Sequence, residues 1–209
     1  MPVTCPIVST PSSRFPVSKA VLRRLPEARG AISSKGAPGD RTMRLFIAIE
    51  LSDEMKDSLV AAQNAMYDQG VRGNFTSDEN MHLTLAFIGE YPDAEAVLDA
   101  LSALSFPPFD ISLEGLGCFG DLWWAGISES APLFSVVRRV RRVLAESDIP
   151  FDKKHFSPHI TLIRRASGKM PEIRLQPAAM TVRTISLMRS DRGRSGMIYT
   201  ELGTVDAIP

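Results

Sequence analysis

Two tetrapeptides constrain this chain more than anything else in it. His82-Leu83-Thr84-Leu85 and His159-Ile160-Thr161-Leu162 repeat one pattern 77 positions apart. Their polar–apolar alternation has the period of a β-strand, in which residues i and i+2 share a face. On that reading Asn80, His82 and Thr84 point one way, while Met81, Leu83, Leu85 and Phe87 point into a core. His159 and Thr161 share a face in the same manner, opposite Ile160 and Leu162. For a given histidine, a Ser or Thr at +2 and an apolar residue at +3 should arise about one time in twenty. Two cases among three histidines therefore mark a short internal repeat rather than two accidents.

The surrounding sequence supplies both kinds of element. Arg44–Glu50 reads as a buried strand. Ser52 is placed to cap a helix with Asp53 and Glu54 in its first turn, an apolar stripe of Met55, Leu59, Ala62 and Met66, and a stop at Gly70. A strand is expected over 81–88, and Pro92-Asp93 opens a helix carrying Val97, Leu98 and Leu101. Strands fit 109–118 and 122–128, with Gly120-Asp121 turning between them. A third helix starts near Pro132 with the stripe Leu133, Val137, Val140 and Leu144. Further strands are expected around 159–164, 180–188 and 197–203. Mixed order with short connections favours antiparallel pairing, hence an α+β fold rather than a doubly wound sheet. No Gly-x-Gly-x-x-Gly or P-loop follows a strand, which removes support for nucleotide-cofactor binding by those routes.

The chain has 209 residues, and its 24 basic and 24 acidic residues balance. No strong field argues for DNA wrapping or membrane adsorption, and the longest apolar runs are too short to span a bilayer. The balance is uneven along the chain. Residues 1–42 hold seven basic and two acidic residues with six prolines, and read as a disordered basic extension ahead of a domain over 43–209. Either its Arg- and Ser-containing composition is that of an organelle transit peptide, or translation starts at Met43; the abrupt onset of pattern at Met43 favours the second. Two cysteines, Cys5 and Cys118, make a disulfide framework unexpected and fit a reducing cytoplasm. Cys118 is expected to be a small buried hydrophobe. With no unexplained apolar stripe on the surface, a monomer is expected.

Two imidazoles and two hydroxyls on rigid strands suit one chemistry. Opening a cyclic phosphodiester needs a proton removed from the attacking water and another delivered to the departing ribose oxygen. Two histidines in opposite protonation states can do both near neutral pH. The threonine hydroxyls can donate to the non-bridging phosphate oxygens. This scheme needs no metal and no cofactor. His155, four residues before His159, invites a metal-binding reading, but Pro158 disfavours the helix that would align the two.

With these motifs the sequence resembles the two-histidine phosphoesterase family, and within it the bacterial RNA 2',3'-cyclic phosphodiesterases, also called 2'-5' RNA ligases. The matching stretches are Arg44–Ile49, Glu79–Glu90 and Phe156–Arg164, with weaker support from Leu113–Phe119, Leu187–Ser190 and Tyr199. The likeness spans 43–204. It implies a bilobal fold in which two related antiparallel-sheet-plus-helix lobes face each other across a cleft, with one motif from each. It implies hydrolysis of RNA 2',3'-cyclic phosphate ends to 2'-phosphate ends. His82 would be the proton donor and His159 the proton acceptor, with Thr84, Thr161 and Arg164 binding the phosphate. Ala86 stands where many members carry a basic residue, and Phe119–Trp124 lacks a Pro-Arg pair often found there. Arg164 also presents a geometric difficulty. On a regular strand it would face with Ile160 and Leu162, so it reaches the cleft only if the strand ends or bulges near Ile163.

Other features have plainer readings. Lys153 and Lys154 could guide a phosphate backbone but suit a solvated loop, and Arg138, Arg139, Arg141 and Arg142 suit a solvated helix face. Of Trp123 and Trp124, alternation assigns one to a core and one to the cleft, where it could stack on a base. Two alternatives to RNA-end hydrolysis remain. One is a phosphodiesterase acting on small cyclic nucleotides or 2'-5' linkages. The other is a non-catalytic module that binds RNA ends or nucleotides.

Overall fold

A computed structural model describes residues 22–24, 42–194 and 196–208. The strand β1 (Leu22–Arg24) precedes β2 (Met43–Glu50), and α1 (Asp53–Asp68) follows. Next come β3 (Arg72–Phe75), a 3-10 turn (Asp78–Asn80), β4 (His82–Tyr91) and α2 (Ala94–Leu101). The hairpin β5 (Phe109–Phe119) and β6 (Leu122–Ile127) leads to α3 (Ala131–Glu146) and β7 (His159–Ser167). The chain closes with β8 (Ala179–Val182), β9 (Thr184–Arg192) and β10 (Met197–Asp206).

These strands form two five-stranded sheets in the orders β1-β10-β9-β2-β4 and β3-β7-β6-β5-β8, antiparallel at every pairing. The α+β, two-lobed expectation is met, with one His-x-Thr-Leu segment in each sheet. The helices begin where short polar side chains satisfy their free amides. Ser52 Oγ accepts from Met55 N, Asp93 Oδ1 from Ala96 N, and Ser130 Oγ from Leu133 N. Apolar faces of all three helices and both sheets meet in one core containing Leu59, Leu101, Leu144, Leu83 and Ile160. A smaller cluster of Phe46, Ala48 and Met188 lies on the other face of the first sheet with Phe87 and Tyr199 against it.

Several expectations need correction. The strand expected at 180–188 is two strands separated at Arg183, and they belong to different sheets: β8 pairs with β5, β9 with β2 and β10. β3 was not anticipated; its Arg-Gly-Asn-Phe sequence has no apolar alternation. Within residues 1–42, read as disordered, β1 pairs with β10. Leu22 packs on the core, Arg23 reaches Asp206 at 2.8 Å, and Arg24 bonds Glu95 at 2.5 Å and also Asp99. The rest of that extension, Cys5 included, lies outside the described residues, apart from Thr42. Cys118 is exposed rather than buried, because exposure rises along β5 towards its hairpin tip. Among the described residues no helix is long and apolar enough to cross a membrane.

Candidate active site

Each histidine opens its strand, and each is held in the same way. His82 Nδ1 lies 2.8 Å from the Asn80 carbonyl, and His159 Nδ1 lies 2.8 Å from the Ser157 carbonyl. A carbonyl can only accept, so Nδ1 carries the proton in both rings and Nε2 is left for chemistry. Asn80 itself is not on the strand. It ends the 3-10 turn, supplies its carbonyl to His82, and donates its side-chain amide to Met197 O at 2.9 Å. The sequence had aimed its side chain beside His82.

The two strands also break at the same place. In β4, Ile47 pairs with Ala86 and Ala48 with Thr84, so Leu85 is an extra residue. In β7, Trp123 pairs with Ile163 and Trp124 with Thr161, so Leu162 is extra. Each bulge leaves two consecutive buried residues, Leu85-Ala86 and Leu162-Ile163. Alternation resumes one position out of phase. Arg164 is thereby returned to the side of His159 and Thr161, which answers the geometric difficulty. Arg165 follows with φ 53°, in the left-handed region that strands avoid. Buried Gln63 of α1 secures the β7 bulge: its amide donates to Leu162 O at 2.8 Å and Thr76 O at 2.9 Å. Sequence reasoning read Gln63 only as part of a helix.

β4 and β7 approach across the lobe boundary. Two adjoining cavities open there, of about 870 Å³ and about 730 Å³. His82, Arg164, Met197 and Tyr199 line both, Thr84 lines the larger and Thr161 the smaller. His159 lines neither cavity; it lies edge-on to Phe119 with 5.2 Å between ring centroids and 6.3 Å from Trp124. Trp123 is buried in the core while Trp124 is half-buried near His159. Trp124 can lie across β5 because Gly117 sits opposite; a Cβ there would meet the indole at 2.3 Å.

His82 is enclosed differently, between Phe46 at 4.8 Å and Tyr199 at 5.1 Å. Burial pushes its pKa below the ordinary imidazole value. The Asn80 carbonyl opposes that shift, and the charges of Arg164 and His159 add to it. The two histidines and Arg164 are thus electrostatically coupled. On the opposite edge of the same pairing, Glu50 faces His82 in register, and its carboxyl is raised by burial and by Glu201.

Several members of the other basic clusters are engaged away from the cavities. Arg139 donates to Ser105 O, Arg141 to Lys154 O, and Arg142 approaches Glu146 at 3.8 Å. Lys154 pairs with Asp152 at 3.2 Å in an exposed loop. Among the described residues no three His, Cys, Asp or Glu side chains gather as metal ligands.

Residues 60–194 match the profile of the 2'-5' RNA ligase superfamily. The chain belongs to that superfamily. The RNA 2',3'-cyclic phosphodiesterase of Thermus thermophilus is 33% identical over 181 residues, covering 77% of this chain and 88% of that protein. That of Geobacillus stearothermophilus is 31% identical over 150 residues and 66% of this chain; the match spans 48% of its length, so this chain accounts for about half of that relative. Escherichia coli LigT in apo form superposes with a TM-score of 0.70 at 26% identity, covering 81% of this chain and all of LigT. The two-sheet fold described above is therefore shared with LigT.

Proposed function

We propose that this chain hydrolyses the 2',3'-cyclic phosphate at an RNA end to a 2'-phosphate, with His82 as proton donor and His159 as proton acceptor and without a metal. The observation that carries this reading is the matched pair of imidazoles. Each Nδ1 is committed to the carbonyl two residues back, so each ring offers Nε2 for one proton transfer. Water gives a proton to His159 as its oxygen bonds to phosphorus. The bond from phosphorus to O3' breaks, and that oxygen takes the proton from His82. One water is consumed, and solvent restores the two rings to their starting states. Thr84, Thr161 and Arg164 donate to the non-bridging oxygens, where charge builds. A depressed pKa makes the His82 imidazolium a stronger acid, and the anionic phosphate favours that charged form once bound. The names of the Geobacillus and Thermus relatives support the substrate. In this reading the protein acts as a monomer in the cytoplasm.

The test uses the full chain, a short RNA ending in a 2',3'-cyclic phosphate, excess chelator, and chromatographic separation of the ends. The expected product bears only a 2'-phosphate. His82→Ala and His159→Ala should each lower turnover by about 10²–10⁴-fold. A folded wild type that converts nothing would defeat the reading, and activity lost only with chelator would defeat its metal-free form. Small cyclic nucleotides are the second reading; the complex of E. coli LigT with 3'-AMP, an acyclic mononucleotide, supports only that a single nucleotide can enter such a site.

A further inference from the structure

The two cavities share His82 and Arg164 but differ in charge. Beyond Arg164, the larger carries Arg44, Arg189 and Arg192 against two carboxylates, Glu90 and Asp191. The smaller adds only Glu79 and otherwise neutral groups such as Asn74 and Ser77. Beyond the shared Arg164, a polyanion entering this site therefore meets further arginines on one side only.

The reaction fixes which way a strand must leave. His82 protonates the departing O3', so the terminal ribose lies on the His82 side and the attacking water on the His159 side. The strand continues from the 5' position of that ribose, away from the water. Both cavities touch His82, and only the larger offers cations to the next phosphates.

Two of its arginines are also held in place. The Arg44 guanidinium sits over the Phe87 ring, 4.9 Å from its centroid, and Arg189 is braced by Asp191 at 2.7 Å. A guanidinium stacked on an aromatic ring keeps its edge free for bidentate phosphate contacts and loses little freedom on binding. Phe87 reaches this face because the β4 bulge turns it there, as the β7 bulge turns Arg164.

We propose that the larger cavity is the track for the RNA strand 5' of the cyclic phosphate, with Arg44 and Arg192 contacting its penultimate phosphates. This rests on the function proposed above and adds its direction: an oligonucleotide is preferred to a mononucleotide, and the strand runs over the first sheet. Recognition is of backbone charge, so it is tolerant of sequence.

The experiment compares a 2',3'-cyclic mononucleotide with a tetranucleotide ending in the same cyclic nucleotide, using the full chain in chelator at two salt concentrations. The variants are Arg44→Gln, Arg192→Gln and, as a control on α3, Arg142→Gln. Wild type should favour the tetranucleotide in kcat/KM. Arg44→Gln and Arg192→Gln should each cut that preference by roughly tenfold, the worth of one charge-assisted contact. Each should also make the salt dependence shallower by about 0.7 in log–log slope. Arg142→Gln should change neither. No length preference in wild type, or equal losses on both substrates, would overturn the track. If wild type turns over neither substrate, the proposed reaction fails. The track is then judged by the same comparison in equilibrium binding: equal effects on tetranucleotide and mononucleotide affinity would overturn it.

Discussion

The two lobes repeat a backbone and diverge in what surrounds it. β4 and β7 both open on a histidine whose Nδ1 is held by the carbonyl two residues back. Both place a threonine two residues on, and both bulge at the leucine after it. After the bulge the likeness ends. The first lobe presents Phe87 where the second presents Arg164. The aromatic neighbours differ too: Phe46 beside His82 is 3% exposed, whereas Phe119 beside His159 is 48% exposed. A repeated frame therefore carries one histidine on each lobe in unlike surroundings, and in the proposed reaction those surroundings give the two rings different work. Two identically placed imidazoles in identical surroundings would have no reason to be acid and base at once.

The strongest way to break this comparison is to exchange the post-bulge residues for alanine. Arg164→Ala removes a cation from the phosphate and should lower kcat by about 10²-fold, in the range of one lost transition-state donor. Phe87→Ala takes away the ring beneath Arg44 together with its packing on Phe46, Ala48 and Met188, and removes no group that touches the phosphate, so its main effect should fall on kcat/KM for oligonucleotides with a smaller loss in kcat. Steady-state kinetics of the two variants decides it. Equal kcat losses would mean that the halves contribute alike and that the asymmetry is decoration.

A second variant tests what holds the second lobe's bulge. Gln63→Met keeps the volume of the buried side chain and deletes two hydrogen bonds, one to the bulge carbonyl Leu162 O. Lost buried hydrogen bonds cost about 1 kcal/mol each in stability. If Gln63 positions Arg164, kcat should fall by roughly tenfold in an otherwise wild-type chain. In an Arg164→Ala background the same substitution should leave kcat almost unchanged, since the group it positions is already gone. An equal kcat loss in both backgrounds would reduce Gln63 to a purely structural residue.

These residues also mark how far the sequence could be read. The histidine and threonine positions were legible because two-residue alternation is a local property. Arg164 was legible only as a condition, since a bulge depends on how a neighbouring strand pairs. Gln63 was not legible at all: its partners lie 13 and 99 positions away, and nothing in a helical stripe distinguishes a glutamine that faces a carbonyl from one that faces water. The same limit hid the break at Arg183, where one apolar run serves two sheets. It also hid β1, whose three residues gain structure from the edge of β10 and from Glu95, Asp99 and Asp206. The exposed Cys118 shows the converse error, an apolar residue type taken for burial at the end of a hairpin.

The smallest effect is the sharpest test of unlike surroundings. His82 is held below the ordinary imidazole pKa by burial first, then by the charges of Arg164 and His159. As the acid of the proposed reaction, it must be protonated, so kcat/KM should fall as pH rises through that lowered value in the free enzyme. Bound substrate brings a negative charge that favours the imidazolium. The falling limb of kcat should accordingly lie at higher pH than that of kcat/KM. Arg164→Ala removes a permanent positive charge beside His82, so the His82 pKa should rise, though only modestly because burial remains. Following the imidazole signals by NMR across pH in wild type and Arg164→Ala measures this directly. A His82 pKa that stays put, or that moves down, would show that the arginine does not act on the imidazole, and the coupling between the lobes would have to be sought elsewhere.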